Sequence, residues 1–132
     1  MVKSGFRRIV VTDDDPGQRT LMVDFLSLYE KESRYSFKIF QAEHGMQCIE
    51  LMQRHHPQLV FLDFDMPRLN GLQVLQSINE LHKKELGLIP IVMTTAHNDR
   101  ETVEACIQAG ASDYLVKPID LPEFLKKIRT LV

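Results

Sequence analysis

Five short apolar runs alternate with segments of helical periodicity along the whole chain. The runs at residues 8–12, 37–41, 59–62, 89–94 and 114–116 have the length of strands, and the unbroken sequence Ile9–Val10–Val11 is typical of a strand that is covered on both faces. Between them, apolar residues recur every three or four positions, which predicts five helices. This alternation favours an α/β fold in which a parallel sheet lies between two helical layers.

Local signals place several helix ends. Asp15 directly before Pro16 predicts a helix N-cap. Asn98 and Glu101 have the spacing of a capping box, which predicts that Asn98 caps the fourth helix. Gly110 suits the left-handed position after that helix.

Size and composition exclude several classes of protein. With 132 residues and 44% hydrophobic residues, we expect one globular domain over residues 1–132, with no output domain. The longest strictly apolar run has four residues, so we expect no membrane partner. A net charge of −2 argues against a nucleic-acid-binding module. Cys48 and Cys106 have no metal-ligand spacing, which favours buried free thiols and a cytoplasmic location.

Charged and hydroxyl side chains stand where the predicted strands end. Asp13 and Asp14 follow the first strand, Asp63 follows the third, Thr95 follows the fourth, and Lys117 follows the fifth. Because the carboxyl ends of parallel strands share one edge of the sheet, three carboxylates are expected to converge there. Their repulsion requires a cation, and hard oxygen ligands favour Mg²⁺.

Asp63 differs from the other acidic residues because it ends the most hydrophobic strand. A carboxylate can act as a nucleophile toward a phosphoryl group. The negative charge of the transferred group must then be stabilised by a cation and by hydrogen-bond donors. Mg²⁺ would be the cation, and Thr95 and Lys117 would be the donors. The residues therefore predict a phosphoryl-accepting site.

Four motifs cover essentially the whole chain: Thr12–Asp13–Asp14–Asp15–Pro16, then Leu62–Asp63–Phe64–Asp65–Met66–Pro67 with Asn70–Gly71, then Thr95–Ala96, and finally Ala109 to Pro118. In this order and at these separations, the motifs resemble those of the receiver domains of bacterial two-component response regulators. The resemblance implies a flavodoxin-like, five-stranded parallel sheet of order 2-1-3-4-5 with five helices. It implies a phosphoacceptor switch rather than an enzyme, limited to its own phosphorylation and dephosphorylation.

The resemblance also implies residue roles. Asp63 is the expected phosphoacceptor and a metal ligand, and its donor is a sensor histidine kinase or a phosphotransfer protein. Asp14 is expected to bind Mg²⁺, or Mn²⁺ in its place, directly. Asp13 is expected to bind it mainly through water, and Asp65 through its backbone carbonyl.

The output is implied in the same way. Thr95 and Lys117 are expected to contact the phosphoryl group, and Lys117–Pro118 is expected to be a cis peptide. Movement of Thr95 would let Tyr114 turn inward. This would reshape the face formed by the fourth predicted helix, the fifth strand and the last helix, and so switch binding of an unidentified downstream protein or formation of a homodimer.

Three positions depart from the family pattern. Thr12 replaces an aliphatic residue, Asp65 stands where some members have asparagine, and His97 stands where acidic or small residues are common. Asp65 and His97 are expected to tune dephosphorylation, because both positions line the approach of water.

Three alternatives remain at this point. A phosphohydrolase of the haloacid dehalogenase type is favoured by Asp63 and Asp65 after a hydrophobic strand, but Met66–Pro67 replaces its hydroxyl residue. A pseudo-receiver would have the fold without the chemistry. A flavodoxin-like cofactor binder would need a phosphate loop where the three aspartates stand. The chain is either a single-domain regulator or a receiver from a larger protein.

Overall fold

The computed structural model describes residues 2–132, which form five strands and six helices. In chain order these are β1 Phe6–Thr12, α1 Pro16–Glu30, β2 Ser36–Ala42, α2 Gly45–His55, β3 Leu59–Asp63, α3 Gly71–Leu81, α4 Lys83–Leu86, β4 Ile91–Thr95, α5 Arg100–Gln108, β5 Asp113–Val116 and α6 Leu121–Ile128.

All four strand pairings are parallel, and the order across the sheet is β2-β1-β3-β4-β5. The predicted α/β class and strand order are therefore confirmed. Val10 of β1 lies opposite Phe40 of β2 on one side and Val60 of β3 on the other. The carboxyl ends of β1 and β3 are consequently neighbours, which brings the residues after these strands together.

Two hydrophobic clusters cover the two faces of the sheet. Val10, Val60 and Leu62 pack with α2, α3, α4 and α5, whereas Ile9 and Phe61 pack with α1 and α6. Successive residues of a strand point to opposite faces, so a strand covered by both clusters must be apolar throughout. This accounts for the unbroken apolar runs of β1 and β3.

The sixth helix is a correction to the sequence analysis, which predicted five. The α4 segment is a single turn anchored by Leu86, whose side chain is buried. Four residues are too few to display helical periodicity, so the segment carried no recognisable pattern. The fourth strand also begins later than predicted, at Ile91, because Pro90 has no N–H for the ladder.

The helix-end predictions had mixed outcomes. Asp15 caps α1 by accepting a hydrogen bond from Gly17 N, and Gly110 has a φ of 111°. The prediction for Asn98 was wrong, because Asp99 caps α5 and accepts from Thr102 N. A carboxylate at this position also interacts favourably with the helix dipole.

Cys48 and Cys106 are buried free thiols, as predicted. Among residues 2–132, none of the helices combines the length and apolar character that crossing a bilayer demands.

Candidate functional site

Three carboxylates converge at the carboxyl end of the sheet. A carboxylate oxygen of each of Asp13, Asp14 and Asp63 lies within 4.8 Å of the other two. Asp13 and Asp63 are buried, with 3% and 1% of their surface exposed, and Asp14 is exposed. The sequence places these residues after β1 and at the end of β3, and the pairing of β1 with β3 makes them neighbours.

Lys117 joins the two buried carboxylates. Its Nζ lies 3.0 Å from Asp13 Oδ2 and 3.0 Å from Asp63 Oδ1. The position of Lys117 is set by its own N–H, which donates to the carbonyl of Thr95 at 2.7 Å, and the Lys117–Pro118 peptide is cis. Burial alone lowers the pKa of Lys117, but the hydrogen bonds to Asp63 and Asp13 outweigh burial and raise the pKa above its usual value.

Asp63 has an unusual protonation equilibrium. Burial raises the pKa of its carboxyl group to about 7, and the negative charge of Asp13 adds to the rise. Hydrogen bonds from Lys117 and from Asp65 N oppose it but do not cancel it. Without a bound metal ion, burial is therefore the dominant influence on the pKa of the Asp63 carboxyl group.

The two oxygens of Asp63 differ in their partners. Oδ1 accepts hydrogen bonds from Lys117 Nζ and from Asp65 N at 3.1 Å. Oδ2 is buried and has no hydrogen-bond partner within residues 2–132. Since buried carboxylate oxygens are nearly always satisfied, Oδ2 is suited to a metal ion or an incoming electrophile. The oxygen-only donor set and the neighbouring Asp14 fit Mg²⁺.

Thr95 ends β4, next to the strand that ends in Asp63. It is buried, and its Oγ1 accepts a hydrogen bond from His97 N at 2.9 Å. The hydroxyl proton of Thr95 is therefore left for another acceptor.

Asp65 and His97 form a bridge between the loops that follow β3 and β4. Asp65 Oδ1 lies 2.9 Å from His97 Nε2, and Asp65 Oδ2 accepts from Ala96 N at 3.1 Å. Asp99 Oδ1 lies 3.9 Å from the other ring nitrogen of His97. The side chains of Asp65 and His97 are thus held together beside the pocket, although both are exposed.

Tyr114 lies in β5, opposite Met93 of β4, and is half-buried against the larger hydrophobic cluster. Lys127 of α6 covers its ring, with Nζ 4.4 Å from the ring centroid. The same ammonium donates to the Tyr114 carbonyl and lies 3.1 Å from Asp113 Oδ1. Lys127 therefore fixes this aromatic residue to α6.

Two residues support the geometry of the site in ways that the sequence did not predict. Arg19 of α1 donates from Nη1 to the carbonyl of Asp13 at 2.6 Å. A Cβ at Gly71 would lie 2.7 Å from the carbonyl oxygen of Asp63 and 2.5 Å from the terminal carbon of Met93, so only glycine fits there. The Asn70–Gly71 pair was visible in the sequence, but the close approach to β3 was not.

A sequence model of the response regulator receiver domain matches residues 9–129 of the chain. Among curated proteins, the response regulator MprA of Mycobacterium sp. (strain KMS) is 34% identical over 125 residues, covering 95% of this chain and 50% of that protein. The transcriptional regulatory protein PdtaR of Mycobacterium tuberculosis is 32% identical over 126 residues, covering 96% and 57%. The chain thus spans about half the length of the curated relatives it matches.

Solved structures show the same fold. The signal receiver domain of the putative response regulator NarL from Mycobacterium tuberculosis has a TM-score of 0.80 and 29% identity, covering 98% of this chain and 96% of that one. The chemotaxis protein CheY4 of Vibrio cholerae has a TM-score of 0.80 at 20% identity, covering 96% and 99%. With the family match over residues 9–129, these findings establish that the chain belongs to the response regulator receiver domains.

Proposed function

We propose that Asp63 accepts a phosphoryl group from the phosphohistidine of a sensor histidine kinase or a phosphotransfer protein. The observation that carries this proposal is the buried, unpartnered Oδ2 of Asp63, since the other oxygen of the same carboxylate is already held by Lys117. An oxygen nucleophile that is oriented by its neighbours, but not blocked by them, is what a phosphoryl acceptor requires.

The transfer exchanges one bond for another. The ionised carboxylate of Asp63 forms a bond to phosphorus while the bond between phosphorus and the histidine nitrogen breaks, and the electron pair of that bond stays on the imidazole. Mg²⁺, or Mn²⁺ in its place, would supply positive charge to the phosphoryl oxygens from a site made by Asp13, Asp14, Asp63 and the Asp65 carbonyl. The chain then acts on its own phosphoryl group alone, in acceptance and in hydrolysis.

Thr95 and Lys117 would hold the transferred group. Lys117 exchanges a contact with Asp63 for one with a phosphoryl oxygen, and the Thr95 hydroxyl donates its free proton. Hydrogen bonds to charged groups contribute about 1.5–3 kcal/mol each. Two of them come close to the roughly 5.5 kcal/mol that converts a 1:99 population into 99:1.

The output in this proposal is a change of the surface formed by α5, β5 and α6. Thr95 would move toward the phosphoryl group, and Tyr114 would turn into the space that it leaves. Movement of the half-buried Tyr114 ring would change its contact with Lys127 of α6. A downstream protein, or a second copy of the chain, would recognise the altered surface.

The test is phosphorylation by acetyl phosphate with Mg²⁺, followed by intact-mass measurement. We expect one phosphoryl adduct in the wild type and in Asp24→Asn, a matched change at an exposed aspartate of α1. Asp63→Asn and prior addition of a chelator should each abolish the adduct. An adduct that persists in Asp63→Asn would place the acceptor elsewhere, and steady release of phosphate from phosphomonoesters would favour a phosphohydrolase.

A further inference from the structure

The fold separates the charges of the chain between the two ends of the sheet. Strand beginnings and helix ends meet at one end, made by residues 2–8, 29–38, 53–58, 80–90, 108–113 and 126–132; this end is called the amino pole here. It holds twelve of the sixteen Lys and Arg residues and five of the eighteen Asp and Glu residues. The opposite end, with the Asp63 site, holds the other thirteen acidic residues and four basic ones.

The densest part of the amino pole lies where β1 and β2 begin. The guanidinium carbon of Arg7 lies 3.5 Å from the ring centroid of Tyr35, and that of Arg34 lies 5.8 Å from the same ring. Nζ of Lys38 lies 4.4 Å from the ring centroid of Phe6. By the strand register, Arg7 and Tyr35 lie on one face of the β1–β2 pair, and Lys38 and Phe6 lie on the other. Both faces of this sheet corner therefore present a cation over an aromatic ring, and we call Arg7, Arg34 and Lys38 the basic corner.

Acidic side chains do not neutralise the basic corner. Within residues 2–132, no carboxylate forms an ion pair within 4.0 Å of its three cations. The two acidic residues near it are engaged otherwise: Glu30 accepts from the N–H of Phe37, and Glu32 lies 2.8 Å from Arg129 Nη2. Stabilisation of helix ends does not explain the corner either, because its cations lie on strands or before them.

The amino pole also exposes large apolar side chains. Phe6 begins β1 and is 54% exposed, Leu81 ends α3 and is 73% exposed, and Leu88 precedes β4 and is 98% exposed. Cations interspersed with exposed apolar side chains are the composition that favours adsorption to an anionic lipid interface.

We propose that the amino pole binds the surface of an anionic lipid membrane through the basic corner. The short apolar runs led us to expect no membrane partner, but run length bears on crossing a bilayer and not on adsorption to its surface. Adsorbed in this way, the protein would hold its acidic site about 20 Å from the lipid, since a strand of six residues spans this length. The site would face water and remain open to a partner protein.

A nucleic acid fits these observations less well. Single-stranded nucleic acids are bound on free aromatic faces, whereas the guanidinium of Arg7 already lies over the ring of Tyr35. A phosphodiester backbone also has no apolar counterpart for Leu81 and Leu88.

The test is co-sedimentation of the whole chain with vesicles in the presence of a chelator. We expect binding to phosphatidylcholine vesicles with about 30% phosphatidylglycerol, loss of binding in high salt, and no binding to phosphatidylcholine alone. The double variant Arg34→Glu, Lys38→Glu changes two exposed cations of the corner and should lower the partition coefficient at least about 25-fold, from about fivefold per cation. Arg68→Glu, Arg100→Glu makes the same charge change at the opposite end and should bind as the wild type does.

Three results would overturn the proposal. They are failure to bind anionic vesicles, an equal loss of binding in both double variants, and tighter binding of duplex or single-stranded nucleic acid through the same corner. Phosphorylation of the corner variant by acetyl phosphate shows that it is folded; should it be unfolded, Arg34→Gln, Lys38→Gln replaces it in the same comparison.

Discussion

The two parts of β3 are equally buried and have opposite effects on stability. Leu59 to Leu62 are almost fully removed from solvent, and so is Asp63, the next residue. Burial of a leucine side chain contributes about 1.5–3 kcal/mol to folding. Burial of the Asp63 carboxyl group instead raises its pKa to about 7, so the ionised form is costly.

This difference shows how the site depends on the core. The apolar residues of β3 anchor the strand between the two hydrophobic clusters, and this anchoring holds Asp63 where water cannot satisfy it. A carboxylate that is destabilised in the free protein gains most from binding a cation or forming a new bond. The apolar residues of β3 therefore stabilise the fold, and the reactive group of the strand is its last residue, Asp63.

Leu62→Ala tests the stabilising part of the strand. We expect a loss of about 2–5 kcal/mol in the free energy of unfolding, because the variant leaves a cavity in the centre of a packed cluster. Denaturant unfolding in the presence of a chelator measures this loss. Leu88→Ala removes the same atoms from a side chain that is 98% exposed and should change stability little; equal losses in both variants would refute the distinction.

Asp63→Asn tests the last residue of β3 and should raise the free energy of unfolding, whereas Leu62→Ala lowers it. The rise in pKa from 3.8 to about 7 corresponds to at most about 4 kcal/mol of destabilisation. Because Lys117 also loses a charged partner, we expect a gain of about 1–3 kcal/mol at neutral pH without divalent cations. Asp24→Asn, at an exposed position, is the control and should have no comparable effect.

The pH dependence of the same variant sharpens this prediction. Between about pH 4 and pH 7 the unfolded chain has lost the Asp63 proton and the folded chain retains it. The stability contributed by this carboxyl group is therefore largest at low pH and is lost as the pH rises toward 7. Unfolding measured across this range should show a downward slope in the wild type that is reduced in Asp63→Asn; equal slopes would mean that Asp63 titrates normally.

His97→Ala should have the smallest effect. The hydrogen bond between His97 and Asp65 joins two exposed loops beside the Asp63 site, and a hydrogen bond of this kind contributes about 1 kcal/mol. We expect its loss to free Asp65, admit water, and shorten the lifetime of the phosphoryl group by up to about fivefold. Loss of the adduct mass over time measures this, and Asn98→Ala serves as the control at a neighbouring exposed residue. An unchanged lifetime in His97→Ala would show that the bridge does not restrict water.

Much of the fold was predictable because its signals are local. The apolar runs of β1 and β3 and the cap at Asp15 lie within short windows of sequence, and parallel pairing then follows from their alternation with helices. The α4 turn was missed because a segment of four residues is too short to show helical periodicity. Asn98 was predicted as the cap because Glu101 completes the spacing of a capping box with it, whereas the helix begins one residue later and is capped by Asp99.

Short-range patterns were enough to place carboxylates after two apolar strands and a lysine after the last strand. Packing of distant segments was needed to show that Lys117 joins Asp13 to Asp63 and that Oδ2 of Asp63 has no partner within residues 2–132. The gathering of basic residues at the opposite end also follows from the fold. The difference is one of range. Periodicity and capping act over a few residues, whereas burial, hydrogen bonding and charge depend on neighbours that are distant in the chain, and Asp13 and Lys117 are 104 positions apart.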